Sequence, residues 1–385
     1  MNHITLFRTV PRIVMGPGAL TQLADEVRAL NANKVLIVTD PGLIEAGLVK
    51  KAEDLLQKAD IKYAVFKDVE ADPRYEIVAD CVAMIRNEKA DLIVGIGGGS
   101  PIDIAKVSAV MAINPGPISE YFGIDLVPDP GLQTIIIPTT AGTGSEVTPI
   151  AILSDHTEKL KKGIVSQHLF PSVALLDPEL TLGLPSHVTA ATGMDALIHA
   201  VEAFTSKNAT SITDMFARQA MQLIAKNLRT AYADGSNLDA RSDMLEGSLL
   251  AGMAFCNAGV TAVHAFAYPI GAEFHIPHGV ANSIMLTPVM EFNQLGNLKK
   301  FAEMAGYLGE STAGLSTRDA AKTAVEAMRT LAADLNIPAH LSEFGIKEED
   351  IPELAAGVMK VTRLLANNPR ELTLKDAEAI YRRVL

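Results

Sequence analysis

Hydrophobic and polar positions follow two different patterns along this chain. KVLIVTD (34–40) is a short apolar run rich in β-branched residues, and LIEAGLVKKAEDLLQKA (43–59) after it repeats its apolar residues at helical spacing. KYAVFKDV (62–69) reads as a strand again, and YEIVADCVAMIRNEKA (75–90) as a helix. DLIVGIG (91–97) is apolar without interruption, as expected of a parallel strand covered on both faces. A further helix follows, then the strand QTIIIPT (133–139). Strand–helix alternation predicts parallel strands joined by helical crossovers.

From Ser186 onward the period changes to 3.6 residues. SHVTAATGMDALIHAVEAFTS (186–206), ITDMFARQAMQLIAKNLRTAY (212–232) and TRDAAKTAVEAMRTLAADLN (317–336) all read as helices, with little strand signal between them. GLPSH (183–187) is the expected boundary, a Gly-Pro break with Ser186 as a helix N-cap. The fold expected is an α/β domain over residues 1–184, with a parallel sheet flanked by helices, and an all-α domain over 185–385.

Composition narrows the partners. The chain has 385 residues, 48% of them hydrophobic, enough for two domains with large cores. A formal charge of −12 and no Lys/Arg run beyond KLKK at 159–162 argue against nucleic acid. Two cysteines, Cys81 and Cys256, far apart and outside any CxxC, give neither a disulfide framework nor a thiolate zinc site. The N-terminal residues lack the charged and apolar regions of a signal peptide, and apolar runs such as TIIIP (134–138) are too short to span a bilayer. A soluble, cytoplasmic protein without a membrane partner is expected.

GIGGGSPIDIAK (95–106) follows an apolar strand and opens a helix. Gly97, Gly98 and Gly99 let backbone approach a ligand closely, Ser100 suits the N-cap, Pro101 the first helical position, and Asp103 the third, where it favours the helix dipole. A glycine turn feeding a helix N-terminus is an anion site, and phosphate binding is the expectation; a turn that binds nothing is the alternative. The usual dinucleotide fingerprint carries an acid about 20 residues after its glycines. Here the acid, Asp40, comes earlier, at the end of KVLIVTD. It could accept the hydroxyls of an adenosine ribose and repel a 2′-phosphate, favouring NAD over NADP, or it could simply open an Asp-Pro turn. A second loop, PTTAGTGSEVT (138–148), offers five hydroxyl residues and two glycines after a strand, either for phosphates or for nothing.

GMDALIHAVEAF (193–204) places Asp195 and His199 four residues apart on one helical face. Alone, that pair fits a plain helix-supporting contact. HAFAYPIGAEFHIPHG (264–279) shifts the balance, because it holds three of the chain's nine histidines. His264 and Tyr268 are also one turn apart, and His278 sits in a Pro-His-Gly turn. Asp195, His199, His264 and His278 would give one oxygen and three nitrogen donors with room for a substrate oxygen, as at a catalytic ion. Those donors suit Fe(II) or Zn(II) alike. His275 is expected to line the pocket rather than to bind the ion.

GGGSPIDIAK, PTTAGTGSEVT, GMDALIHAVEAFTS and HAFAYPIGAEFHIPHGVAN, in that order and over essentially the whole chain, resemble the iron-dependent (group III) alcohol dehydrogenases. The resemblance implies a nucleotide-binding α/β domain, an all-helical domain, and a site in the cleft between them. It implies metal ligation by Asp195, His199, His264 and His278. It implies pyrophosphate binding at Gly97, Gly98, Gly99 and Ser100, and cofactor contacts from Thr139, Thr140, Thr143, Ser145 and Lys161. Asp40 falls where NAD-preferring members carry the ribose acid. Two positions depart from the family pattern. Tyr268 stands where many members have a second histidine, proposed as a proton relay, and Asp72-Pro73 stands where many have Asn-Pro.

The reaction implied is hydride transfer between NAD(H) and a small primary alcohol, diol or aldehyde. Fe(II), or Zn(II), would polarise the oxygen, with His264, His278 and Tyr268 at the catalytic centre. A homodimer or larger homo-oligomer is expected. Tyr268 also leaves open a 4-hydroxybutyrate dehydrogenase or a hydroxyacid–oxoacid transhydrogenase. A nucleotide-binding protein without catalysis is the remaining alternative, and the intact ligand set speaks against it.

Overall fold

The computed structural model describes residues 4–155 and 160–385, so that Lys159 of the KLKK run lies outside the described residues. The chain divides into two compact units, one spanning Thr9–Gly183 and the other Leu184–Leu385 together with the N-terminal segment ending at Arg8.

Nine strands are assigned among the described residues, all in the first unit: β1 (Ile13–Met15), β2 (Lys34–Val38), β3 (Lys62–Phe66), β4 (Leu92–Gly97), β5 (Gly123–Ile124), β6 (Gln133–Pro138), β7 (Ile150–Asp155), β8 (Leu160–Val165) and β9 (Val173–Leu176). Six form one sheet in the order β1-β9-β6-β4-β2-β3, with every pairing parallel. The helical crossovers predicted from the alternation are present: α1 (Leu23–Ala29), α2 (Pro41–Glu45), α3 (Leu48–Lys58), α4 (Ile77–Glu88) and α5 (Gly99–Met111). Successive strand residues feed opposite faces. Val35 and Ile37 pack with Leu23, Val27 and Leu56, while Leu36 and Val38 pack with Ile77, Cys81 and Ile85. Both faces of the sheet are therefore covered, which is why β4 can be apolar throughout.

Three details differ from the sequence expectations. The run 43–59 is two helices and not one, because Gly47 takes φ 71, a left-handed conformation that stops α2 and restarts the chain as α3. Ser186 is the first residue of α6 and not its cap; Pro185 holds the cap position and contributes no side-chain hydrogen bond. The second, three-stranded sheet, β5-β8-β7, with β7 and β8 antiparallel, was not expected.

In the second unit the described residues contain helices and no strand. The helices that matter below are α6 (Ser186–Thr205), α7 (Ser211–Ala233), α8 (Leu238–Ala258), α9 (Ala262–Phe274) and α10 (His278–Asn293). Fifteen residues of α6 are buried, including Asp195, His199 and Glu202, so it runs through the unit's core. A 102° bend between α8 and α9, around Gly259, turns the chain back toward α6. No single helix among the described residues is long and apolar enough to cross a membrane.

Candidate active site

Two constellations form, one in each unit. In the second unit, α6 presents Asp195 and His199, α9 presents His264, and α10 presents His278 from its first position. Asp195, His199 and His264 each offer a ligand atom, and these atoms all lie within 4.8 Å of one another. His264 Nε2 is 3.1 Å from His199 Nε2 and 3.8 Å from Asp195 Oδ1. His278 Nε2 is 3.8 Å from the same Asp195 oxygen. The first three are buried, whereas the His278 side chain is 36% exposed and forms the open side of the cluster. His278 does not sit in a turn, as its Pro-His-Gly context suggested. Pro277, with φ −53, caps α10 and the helix begins at His278.

The rings are held by packing. Phe255 of α8 stacks on His199 at 4.3 Å, and His199 stacks on His264 at 4.8 Å. Burial alone would push the Asp195 carboxyl up, but the imidazoles of His199, His278 and His264 and a hydrogen bond from Asn282 outweigh it and hold it below the usual carboxylate range. Burial likewise works to lower the His264 pKa, and the Glu202 carboxylate beside its Nδ1 overcomes this and raises it.

The donor set fits a divalent cation, and Asn282 provides the test. Its Nδ2 lies 2.8 Å from Asp195 Oδ1, 3.2 Å from His264 Nε2 and 3.2 Å from His278 Nε2. Three ligand-type atoms from three helices thus converge on one hydrogen-bond donor, as they would on a positive ion. Asn282 Oδ1, buried beside them, has no hydrogen-bond partner among the described residues. One carboxylate and three imidazoles without a thiolate suit Fe(II) or Zn(II).

Neither Glu202 nor Asn282 stands out in the sequence. The available signal was helical phase: Glu202 follows His199 by three residues on α6, and Asn282 follows His278 by four on α10. His275 is exposed, takes φ 54 and closes α9, and it is not among the clustered ligand atoms. Tyr268 is half-buried, with its ring 6.2 Å from that of His278.

In the first unit the strand order reverses at β2. Its neighbours are β3 on one side and β4, then β6, on the other, so the carboxyl ends of β2 and β4 flank the switch point where open α/β sheets bind ligands. Asp40 follows β2, Gly97 ends β4 with Gly98, Gly99 and Ser100 leading into α5, and Thr139 and Thr140 follow β6. These loops touch: Thr139 N donates to Gly97 O at 2.9 Å, and a Cβ on Gly99 would stand 3.0 Å from Thr143 Cγ2. Gly97 turns with φ 155, and a Cβ there would meet Pro101 at 2.6 Å.

The cap assignment from the sequence is corrected here. Gly98, not Ser100, is the N-cap of α5, and it provides no side chain to the first-turn N–H groups. Pro101 therefore sits in the third helical position and Asp103 in the second turn, where it is no dipole partner. Asp103 instead ties α5 to the neighbouring loop and strand, accepting from Ser145 Oγ at 2.6 Å and from Ile152 N at 2.8 Å. Ser145 Oγ also accepts from the buried Lys106 Nζ at 2.8 Å, so this hydroxyl is engaged within the protein. Asp40 does what an Asp-Pro turn predicts: its Oδ1 accepts from Leu43 N at 3.0 Å and caps α2. Lys161 Nζ pairs with Asp72 Oδ1 at 2.9 Å.

Comparison with known proteins finds matches over both units. A family model described as iron-containing alcohol dehydrogenase matches residues 11–178, and one described as Fe-containing alcohol dehydrogenase family, C-terminal, matches residues 189–385. The 1,3-propanediol dehydrogenase of Klebsiella pneumoniae is 44% identical over 376 residues, 97% of each chain. A crystal structure of a 1,3-propanediol oxidoreductase superposes with a TM-score of 0.97 at 42% identity, covering 100% of both chains. A sulfoacetaldehyde reductase from Bifidobacterium kashiwanohense, solved in complex with NAD+, superposes with a TM-score of 0.89 at 31% identity, over 100% of this chain and 99% of that one.

Proposed function

The chain belongs to the iron-containing alcohol dehydrogenase family, and from that premise we propose that it is an NAD(H)-linked, iron-type enzyme interconverting small primary alcohols or diols and their aldehydes. The observation that carries this reading is the convergence of Asp195, His199 and His264 within 4.8 Å, with His278 beside them. These four residues would hold the ion. Bound there, Fe(II), or Zn(II) in its place, would supply a Lewis acid for the substrate oxygen.

The unit Thr9–Gly183, close to the 1–184 expected from the sequence but without its N-terminal segment, would bind the cofactor, and the helical unit the metal and substrate. NAD would supply the hydride acceptor for alcohol oxidation. The uncapped first-turn N–H groups of α5, reached past Gly97, Gly98 and Gly99, would hold its pyrophosphate. Asp40 keeps one carboxylate oxygen bonded to Leu43 N, which leaves the other for ribose hydroxyls. Thr139, Thr140 and Thr143 border the same loops, and the NAD+ complex of the Bifidobacterium relative supports this cofactor. Ser145 and Lys161 would act from behind, by shaping the loop and pairing with Asp72. His278, on the open side of the ligand set, and Tyr268 next to it would border the substrate.

The test is a panel of small alcohols, diols and aldehydes on protein reconstituted with Fe(II) or Zn(II), followed by NADH absorbance and metal analysis. Ion-dependent turnover of a small primary alcohol with NAD is expected. Folded, metal-loaded protein that turns over none of them with either NAD or NADP would overturn the reading.

A further inference from the structure

We propose that Glu202 is a positioning residue for the metal centre, holding His264 in the tautomer whose Nε2 lone pair faces Asp195 and His199. The proposal rests on the metal reading above. Glu202 lies on α6 seven residues after Asp195 and three after His199, so the three share one helical face. Its side chain is 0% exposed. Burying a carboxylate this completely is costly unless its oxygens are hydrogen-bonded.

The two oxygens have separate partners. Oε1 accepts from Thr261 N at 3.0 Å, Thr261 Oγ1 at 2.6 Å and Val263 N at 2.8 Å. These donors open α9, so Oε1 caps the positive end of the helix that carries His264. Oε2 is paired with His264 Nδ1. Oε1 already takes three donors, and with Glu202 acting as a carboxylate, which only accepts hydrogen bonds, Nδ1 carries the proton and donates it to Oε2. The lone pair of the ring then falls on Nε2, the atom 3.1 Å from His199 Nε2 and 3.8 Å from Asp195 Oδ1. One side chain thereby fixes the start of α9, the direction of the ring and the atom that faces the ion. A carboxylate behind a ligating imidazole also raises its basicity toward a metal.

A rival role is helix capping alone. A glutamine can serve that role, because its amide oxygen can stay with Thr261 and Val263. The same amide would then turn its NH2 toward Nδ1, where His264 needs an acceptor. Glu202→Gln therefore separates the two roles.

The experiment titrates Zn(II) against a competing chelator on full-length, metal-free wild type, Glu202→Gln and Thr261→Val, with thermal unfolding of each metal-free protein. Glu202→Gln is expected to bind Zn(II) roughly 10- to 100-fold more weakly than wild type. Thr261→Val, which removes one donor from the cap alone, is expected to lower Tm and to bind Zn(II) within about twofold of wild type. Glu202→Gln that lowers Tm but binds Zn(II) within about twofold of wild type would make Glu202 a helix cap and overturn the proposal. Should Glu202→Gln not fold, histidine 15N spectra of metal-free wild type give the tautomer directly. Protonated Nδ1 on His264 supports the proposal, and protonated Nε2 with bare Nδ1 overturns it. Wild type that binds neither Zn(II) nor Fe(II) would overturn the metal reading itself, and this proposal with it.

Discussion

Gly279 lies so close against Ala191 that a Cβ on it would stand 2.2 Å from the Ala191 carbonyl oxygen. This contact brings the first turn of α10 onto α6, and His278 is its neighbour in sequence. Backbone cannot yield as a flexible side chain can. Gly279→Ala is therefore expected to force the two helices apart at a cost of about 1–3 kcal/mol and to move His278 away from Asp195. Displacements of about 1 Å at a catalytic group can lower rates about 100-fold. The expected outcome is a loss of bound metal and of kcat/KM by tenfold or more, although no ligand is removed. Gly271→Ala in α9, where the added Cβ would meet only ordinary contact at 3.6 Å, serves as the control and keeps both. Equal metal content in the two variants would contradict this account.

The two histidines of HIPH are expected to behave differently. His278→Ala removes a donor that faces Asp195 at 3.8 Å and should strip most of the metal and the activity. His275 is exposed, with φ 54, so asparagine, which tolerates that conformation, is the clean replacement. His275→Asn should keep metal and activity near wild type. Metal analysis after dialysis decides the matter, and loss from His275→Asn with retention in His278→Ala would reverse the assignment.

What the sequence made legible depended on how local each signal was. β2, α3, β4 and α5 were readable because each carries its helical or uninterrupted apolar pattern over five to thirteen residues, whereas the break at Gly47 before α3 was not. β5 has two residues and carries no period, and the strand pairing of β7 with β8 left no turn signature to read. Asp195 and His199 were readable because one helix supplies both. Glu202 was not, because a glutamate among alanines on a helix normally faces solvent. Its burial is set by Thr261 and Val263, some sixty residues further on. Ser100 misled for a related reason: Ser-Pro is a good cap locally, but α5 starts at Gly99 with Gly98 as its cap, in a loop packed against Thr143 that lies some forty residues away in sequence.

Asp40 carries two roles, and one substitution can separate them. Asp40→Asn keeps an oxygen to accept from Leu43 N and so keeps the cap of α2, while removing the charge. If the charge repels a 2′-phosphate, wild type should prefer NAD over NADP by roughly 10- to 1000-fold in kcat/KM. Asp40→Asn should narrow that ratio at least about tenfold with little change in Tm. Equal use of both cofactors by wild type would remove the electrostatic argument.

Glu146, in the loop after β6, has its carboxyl pushed up to about 7 by burial, and its Oε1 has no hydrogen-bond partner among the described residues. Below its ordinary value of 4.5 it is protonated in folded and unfolded chains alike. Between there and about 7 only the unfolded chain gives up the proton, so stability falls as pH rises through this window, and the loss is complete above it. Glu146→Gln cannot ionise. Relative to wild type it should be more stable at pH 8 than at pH 5, by on the order of 1–3 kcal/mol between the two conditions. Urea unfolding of both proteins at the two pH values measures this. A difference that does not change with pH would show that Glu146 titrates normally.

Tyr268 stands one helical turn beyond His264 on α9, half-buried, with its ring 6.2 Å from His278. A free phenol titrates near about pH 10, which makes it a poor base at neutral pH. Its position next to the open side of the cluster suits a residue that shapes the substrate pocket or hydrogen-bonds the substrate. One neutral hydrogen bond is worth about 0.5–1.5 kcal/mol, so Tyr268→Phe is expected to keep kcat within about tenfold. If the hydroxyl touches substrate, the loss should fall on the preferred alcohol and vanish for analogues lacking the polar group it meets. If the ring alone matters, Tyr268→Phe should be indistinguishable from wild type, and Tyr268→Ala should raise KM. A fall in kcat near 1000-fold in Tyr268→Phe, with metal still bound, would contradict both expectations. It would assign the phenol to proton transfer.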